Sequence, residues 1–145
     1  MVSPRIGAML RKDAKMELLA KVPLFADCSR RELRAVSEVA DEVVVPAGYD
    51  LTKEGSAGRE FVVIVEGAAD VRRRGRKVNE LTSGDFLGEI ALVSRGPRTA
   101  TVRTTQPTHA LVITAPAFRG LLRRTPSMQW KVLEALAERL PPEVG

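Results

Sequence analysis

The sequence contains a single cysteine and no long apolar run. Cys28 has no second cysteine to pair with, which excludes an internal disulfide. No stretch approaches the ~20 apolar residues that a membrane-spanning helix needs. The first segment, 1–21, mixes charged residues throughout and lacks the apolar centre of a secretory signal. These features predict a cytoplasmic protein.

Histidine and aromatic residues are scarce. His109 is the only histidine, so a His-rich metal site of the cupin kind cannot be built, and we expect a structural role for it. Cys28 lies far from His109 in the chain without a supporting motif, which argues against a nucleophile–base pair. Aromatic residues make up 4% of the chain, too few for a base-stacking platform. We therefore expect neither an enzyme, nor a metal site, nor a nucleic-acid partner.

The net charge of +5 is spread over the chain rather than concentrated. The 18 acidic residues are interspersed among the 23 basic ones. The densest basic run is 72–77, which is centred on Gly75. A charged run around a glycine is typical of a solvated hairpin tip.

The hydrophobic periodicity indicates short strands between helices. Helices are predicted at 14–20, with a break at 22–25, and from the capping box of Ser29 and Glu32 to about 40. Two more are predicted at 115–123 and after the Thr125 cap, with Pro126 at the first helical position. Strands are predicted at 43–45, 49–53, 61–65, 68–74, 77–81, 99–104 and 109–114. This order predicts an α+β fold that is mainly β: a closed roll or barrel with helices packed on it. We expect one domain at 18–140, an N-terminal extension at 1–17 and a tail at 141–145.

The last helix and four other positions supply candidate core residues. The apolar stripe expected on the last helix consists of Met128, Val132, Leu133, Leu136 and Leu140. Trp130 is expected either in the core or over a ligand. Further core residues are expected at Pro23-Leu24-Phe25 and at Phe118.

The stretch 84–102 organises the chain. Gly84 and Gly88 bracket Phe86-Leu87, and glycine allows the backbone to approach a ligand closely. The run 88–92 can begin a short helix, whose first N–H groups would point at an anion. Arg98 can donate two hydrogen bonds to a phosphate. The stretch therefore predicts a small-anion pocket with one carboxylate, Glu89, and one guanidinium.

This stretch resembles the phosphate-binding cassette of cyclic nucleotide-binding domains, the type found in catabolite activator protein and the protein kinase A regulatory subunit. The resemblance lies in Gly88-Glu89-Ile90-Ala91-Leu92 followed by Arg98-Thr99-Ala100-Thr101-Val102. It extends in family order over about 18–140. The further matching elements are Val22-Pro23-Leu24-Phe25, the Ser29–Leu33 cap, Gly48, Glu54-Gly55, Phe61-Val62-Val63-Ile64 with Gly67, Gly84-Asp85-Phe86, Phe118 with Leu121-Leu122, and Pro126. The family's fold is a jelly-roll-like β-roll, a double-stranded β-helix, flanked by N-terminal and C-terminal helices.

The resemblance implies a role for each residue of the cassette. Arg98 would pair with the cyclic phosphate, and Glu89 would accept a hydrogen bond from the ribose 2′-hydroxyl. Thr99 would offer a hydroxyl to the phosphate or base, and threonine here is compatible with cyclic AMP or cyclic GMP. The remaining residues of the implied ligand set are Gly88, Ile90, Ala91 and Ala100. The ligand expected is cyclic AMP, with cyclic GMP possible.

The resemblance leaves two functional readings open. In the first, the chain is a sensor in which binding shifts the C-terminal helices and changes a surface seen by a protein partner. In the second, it is an interaction module with the same fold and a vestigial pocket. No DNA-reading helix-turn-helix follows Leu140, which argues against a transcription factor.

Overall fold

The structure, a computed structural model, describes residues 10–56, 60–88, 92 and 100–138. The helices are α1 (Lys12–Ala20), α2 (Arg30–Glu38), α3 (Ala115–Arg124) and α4 (Pro126–Ala137). The strands are β1 (Asp41–Val45), β2 (Asp50–Thr52), β3 (Glu60–Glu66), β4 (Ala68–Arg73), β5 (Arg76–Thr82), β6 (Phe86–Leu87), β7 (Thr101–Thr104) and β8 (Thr108–Thr114). A 3-10 turn, Pro23–Phe25, separates α1 from α2.

The strands form two antiparallel sheets that face each other. The first sheet has the order β1-β8-β3-β6, and the second has the order β2-β7-β4-β5. Between them lies an apolar cluster, here called the roll interior, to which both sheets contribute. Its buried members are Val62, Ile64, Ala69, Val71, Leu81, Ala100, Val102 and Ala110. This arrangement confirms the predicted β-roll with helices at both ends.

The helices cover the outer face of the first sheet and bury a second apolar cluster, here called the helix–sheet core. Its buried members are Leu19, Val22, Leu24, Phe25, Val36, Ala40, Phe61, Val63, Leu92, Leu111, Ile113, Phe118, Leu121, Met128 and Val132. Strand β3 serves both clusters because its side chains alternate between faces. Val62 and Ile64 point into the roll interior, whereas Phe61 and Val63 belong to the helix–sheet core. A strand buried on both faces explains the uninterrupted apolar run from Phe61 to Val65.

Among the described residues, the sequence-based core prediction is wrong at Pro23 and Leu133, and of the two places expected for Trp130 the core is excluded. Leu24, Phe25, Phe118, Met128 and Val132 are buried, as expected. Pro23 is exposed, because it starts the 3-10 turn at the surface. Leu133 and Trp130 are 54% and 66% exposed, because α4 turns these two positions away from the core. Leu136 is only partly buried, and Leu140 lies outside the described residues.

Candidate functional site

The chain that leads into the predicted pocket runs along the edge of the first sheet and is hydrogen-bonded to β3. The Gly84 N–H donates to the Ile64 carbonyl at 2.7 Å, and the Ile64 N–H donates to the Asp85 carbonyl at 2.9 Å. Gly88 follows β6 with a φ of 91°, in the left-handed region that favours glycine. The backbone therefore turns sharply at the first residue of the predicted ligand set.

The chain leaving the predicted pocket is held by the loop after β2. The buried Thr52 hydroxyl donates to the Ala100 carbonyl at 3.2 Å. The Glu54 N–H donates to the Thr101 hydroxyl at 2.9 Å. One hydrogen bond to the Ala100 backbone and one to the Thr101 side chain thus hold the two residues that follow Arg98-Thr99 in the sequence. Sequence analysis gave Thr52 no role, since a threonine in a strand carries no signal of its partner.

The structure describes the two ends of the predicted ligand set. Gly88 continues from the first sheet, and Ala100 leads into β7 of the second. The set therefore begins just after a strand of one sheet and ends just before a strand of the other, and Ala100 is itself part of the roll interior. Five of its members lie outside the described residues, and they are Glu89, Ile90, Ala91, Arg98 and Thr99.

Leu92 joins the predicted pocket to the helices. Its side chain is fully buried in the helix–sheet core, together with Phe118 and Leu121 of α3 and Met128 of α4. Sequence analysis placed Leu92 in the motif without a role of its own. The structure shows that the middle of the motif is anchored in the core shared with the C-terminal helices.

A row of aromatic rings runs from β6 to α3. The ring centroids of Phe86 and Phe61 are 6.0 Å apart, those of Phe61 and Phe25 are 6.1 Å apart, and those of Phe25 and Phe118 are 5.8 Å apart. Phe61 and Phe25 meet edge to face, an attractive geometry for aromatic pairs. The four rings therefore form a continuous packed connection between β6 and α3.

A buried carboxylate ties α4 to α2. Glu32, in the first turn of α2, accepts hydrogen bonds from the Ser29 N–H at 2.7 Å, the Lys131 ammonium at 2.6 Å and the Ser127 hydroxyl. Burial alone would raise the pKa of Glu32. The hydrogen bonds from Lys131, Ser127 and Ser29 outweigh burial and lower its pKa from 4.5 to about 2. The carboxylate is ionised at neutral pH and holds the first two turns of α4.

The single histidine is held in a buried contact with a carboxylate, and the single cysteine is partly buried. His109 Nε2 lies 2.7 Å from a Glu42 carboxylate oxygen, and both side chains are almost fully buried. Glu42 also accepts the Leu10 N–H at 3.0 Å, so this contact fastens the chain before α1.

Burial, reinforced by the nearby Glu32 carboxylate, raises the pKa of the Cys28 thiol to about 11, which keeps it protonated and unreactive. Within the described part of the chain, no three His, Cys, Asp or Glu residues are grouped to hold a metal ion.

Residues 42–125 match the sequence model of a protein family described as the cyclic nucleotide-binding domain. Human potassium/sodium hyperpolarization-activated cyclic nucleotide-gated channel 3 is 35% identical over 113 residues, which is 77% of this chain and 14% of the channel. The cAMP-dependent protein kinase regulatory subunit of Schizosaccharomyces pombe is 31% identical over 106 residues, or 72% of this chain and 26% of that protein. The chain thus spans a minor part of these curated relatives.

A solved structure shares the fold. It is the N-terminal domain of a transcriptional regulator from Streptomyces coelicolor, which superposes with a TM-score of 0.77 at 26% identity. The match covers 84% of this chain and 91% of that one. Among the helices in the described ranges, none is long and apolar enough to cross a membrane.

Proposed function

The chain belongs to the cyclic nucleotide-binding domain family, and from that premise we propose that it is a cyclic AMP sensor acting on a protein partner. The observation that carries the proposal is the combination of Gly88-Glu89 with Arg98-Thr99 inside the matched segment 42–125. The proposed domain spans 18–140 and works in the cytoplasm as a regulatory module without enzymatic activity.

In this proposal, a positive and a negative side chain contact different groups of the ligand. Arg98 pairs with the cyclic phosphate through a forked contact. Glu89 would repel a phosphate, so it faces a donor, the ribose 2′-hydroxyl. Each charge-assisted hydrogen bond contributes roughly 1.5–3 kcal/mol. Together with burial of the base, these contacts support micromolar affinity, about −8 kcal/mol.

The smaller residues of the cassette complete the proposed site. Gly88, Ile90 and Ala91 line it through backbone groups, and Thr99 contributes a hydroxyl, with Ala100 beside it. The hydrogen bonds that hold Ala100 and Thr101 support this reading, because they fix the backbone next to Arg98-Thr99. A fixed backbone lowers the ordering cost of binding. We propose cyclic AMP as the preferred ligand over cyclic GMP.

Binding is proposed to move the C-terminal helices. Leu92 shares the helix–sheet core with α3 and α4, and the aromatic row links β6 to Phe118. A ligand that orders the cassette would therefore change how α3 and α4 pack, because close-packed interiors shift between discrete arrangements. The altered surface would be read by the partner.

The proposed role of Glu89 can be tested with a matched ligand. We expect Glu89→Gln to weaken cyclic AMP binding by about tenfold, because a charge-assisted bond to the 2′-hydroxyl is replaced by a neutral one. Wild-type protein should lose a similar factor with 2′-deoxy-cyclic AMP, and the two losses should not add. Fluorescence competition with both ligands on both proteins measures this. Losses that multiply would place Glu89 away from the ribose.

One observation favours the alternative, an interaction module with a vestigial pocket. Trp130 and Leu133 lie on the exposed side of α4, 66% and 54% exposed, and exposed apolar residues of this size are common at protein interfaces. A folded wild-type protein that binds neither cyclic nucleotide would favour this alternative.

A further inference from the structure

The tip of the β4–β5 hairpin breaks two rules of hairpin stability. The turn residues are Arg74 and Gly75, with φ values of 53° and 77°. Asparagine or aspartate usually occupies the first of these positions, and arginine is strained there. Arg73 lies directly opposite Arg76 across the strands, and like charges in such a pair are destabilising.

The charges at the tip are of two kinds. Arg72 and Lys77, below the turn, are neutralised, because Asp70 lies 3.6 Å from the first and 3.3 Å from the second. Lys77 also contacts Glu80 at 3.2 Å. Arg73, Arg74 and Arg76 are exposed, and none of them forms an ion pair with any residue that the structure describes.

A strained arginine and a like-charged pair at the same exposed turn do not stabilise the fold, which indicates that the turn binds another molecule. We propose that Arg73, Arg74 and Arg76 form a docking surface for an acidic segment of a partner protein. Guanidinium groups donate paired hydrogen bonds to carboxylates, and three of them on one turn match a short run of aspartate or glutamate.

The surroundings of the tip favour a short acidic peptide over nucleic acid or a membrane. Asp70 and Glu80 pair with Lys77 below the turn, and Glu54 accepts the Arg74 N–H, so the unpaired positive charge is confined to the three arginines of the tip, an area that suits a short acidic segment better than an extended array of phosphates. The exposed aromatics among the described residues lie elsewhere. Tyr49 bonds Thr104 at the opposite end of β7, and Trp130 is on α4. No base-stacking surface therefore adjoins the tip in the described ranges.

The tip is also connected to the predicted pocket through one residue. The Glu54 carboxylate accepts the Arg74 N–H at 2.9 Å, and the Glu54 N–H donates to the Thr101 hydroxyl at 2.9 Å. Thr101 follows directly on the predicted ligand set. The docking itself is independent of nucleotide, whereas its connection to the pocket rests on the proposed function.

Binding of a fluorescein-labelled oligoglutamate peptide, followed by anisotropy, tests the proposal. The tip variant is Arg73→Thr, Arg74→Asn and Arg76→Thr, in which asparagine suits the turn and threonine suits the strands. The control variant removes the same charge from exposed helical positions, with Arg31→Gln, Arg34→Gln and Arg123→Gln. We expect the tip variant to bind about tenfold more weakly than wild type, and the control to bind within about twofold of it.

Three results would overturn the proposal. The first is a wild-type protein that does not bind the peptide. The second is an equal loss of peptide affinity in the tip variant and the control variant. The third is tip-dependent binding to duplex DNA or phosphatidylserine vesicles that is tighter than binding to the peptide. Titration of the same samples with cyclic AMP separates the two claims. A tip-dependent peptide signal without nucleotide binding would leave the docking surface standing and reject the sensor alone.

Discussion

At the scale of single residues, the described ends of the pocket depend on short side chains. The Thr52 hydroxyl is buried, and its hydrogen bond to the Ala100 carbonyl spans 48 positions of sequence. Ala100 stands two positions after Arg98 in the sequence. We therefore propose that Thr52, which is not in the predicted ligand set, positions the residue proposed to bind the phosphate.

Removal of the Thr52 hydroxyl should lower the affinity for cyclic AMP as well as the stability of the fold. Thr52→Val keeps the shape of the side chain and leaves the Ala100 carbonyl without this partner. We expect a loss of about 1 kcal/mol in the free energy of unfolding, measured with urea. We also expect cyclic AMP affinity to fall about threefold to tenfold, because Arg98 is less well positioned.

Thr105→Val is the matched control, because Thr105 is exposed and lies beyond β7. It should leave both quantities nearly unchanged. If Thr52→Val lowers stability and leaves the affinity at the wild-type value, Thr52 supports the fold but does not position the site.

At the scale of elements, the network around Glu32 determines how α4 sits on the molecule. The sequence predicts the capping box of Ser29 and Glu32, and the structure confirms it. It could not predict that the same carboxylate accepts bonds from Ser127 and Lys131, which lie 95 and 99 residues further along. Local signals identify a cap, whereas these partners depend on the tertiary fold.

The Glu32 network should make stability depend on pH in the acid range. The pKa of Glu32 is lowered from 4.5 to about 2 in the folded chain. Its contribution is therefore complete above the unfolded pKa and is lost as the pH falls from about 5 to about 2. Urea titrations across this range should show a decrease on the order of 3 kcal/mol attributable to this group.

Glu32→Gln removes the titrating carboxylate and should flatten that part of the pH profile, besides lowering stability at neutral pH. Glu134→Gln is the control, since Glu134 is exposed on α4 and should leave the profile unchanged. A profile for Glu32→Gln that parallels wild type throughout would contradict the assignment.

Other elements show where sequence reasoning stops. Strand β6 has two residues, Phe86–Leu87, and was not predicted, because so short a strand has no period of its own. The 3-10 turn Pro23–Phe25 was expected only as a break after α1. Thr125 occupies the predicted cap position of α4 but makes no side-chain capping bond there. In contrast, β3 and α2 were located closely, since periodicity and capping are local properties.

At the scale of the whole molecule, two apolar clusters meet at the predicted cassette. Gly88 follows β6 of the first sheet and Ala100 precedes β7 of the second, whereas Leu92 is buried in the helix–sheet core. The family resemblance in the sequence predicted the roll and the ligand set. The sequence did not predict that Leu92 of the cassette packs in the same core as α3 and α4, because burial depends on elements that are distant in the chain.

The measurement that tests the central claim most directly is calorimetric titration of the full chain with cyclic AMP, for wild type, Arg98→Ala and Arg103→Ala. Arg103 is the matched control, because it lies on β7 and its guanidinium pairs with Asp50 at 2.7 Å. We predict saturable binding near micromolar for wild type and for Arg103→Ala, and a loss of about tenfold to hundredfold for Arg98→Ala. A folded wild type without saturable binding at millimolar ligand, or an Arg98→Ala variant that binds like wild type, would contradict the account.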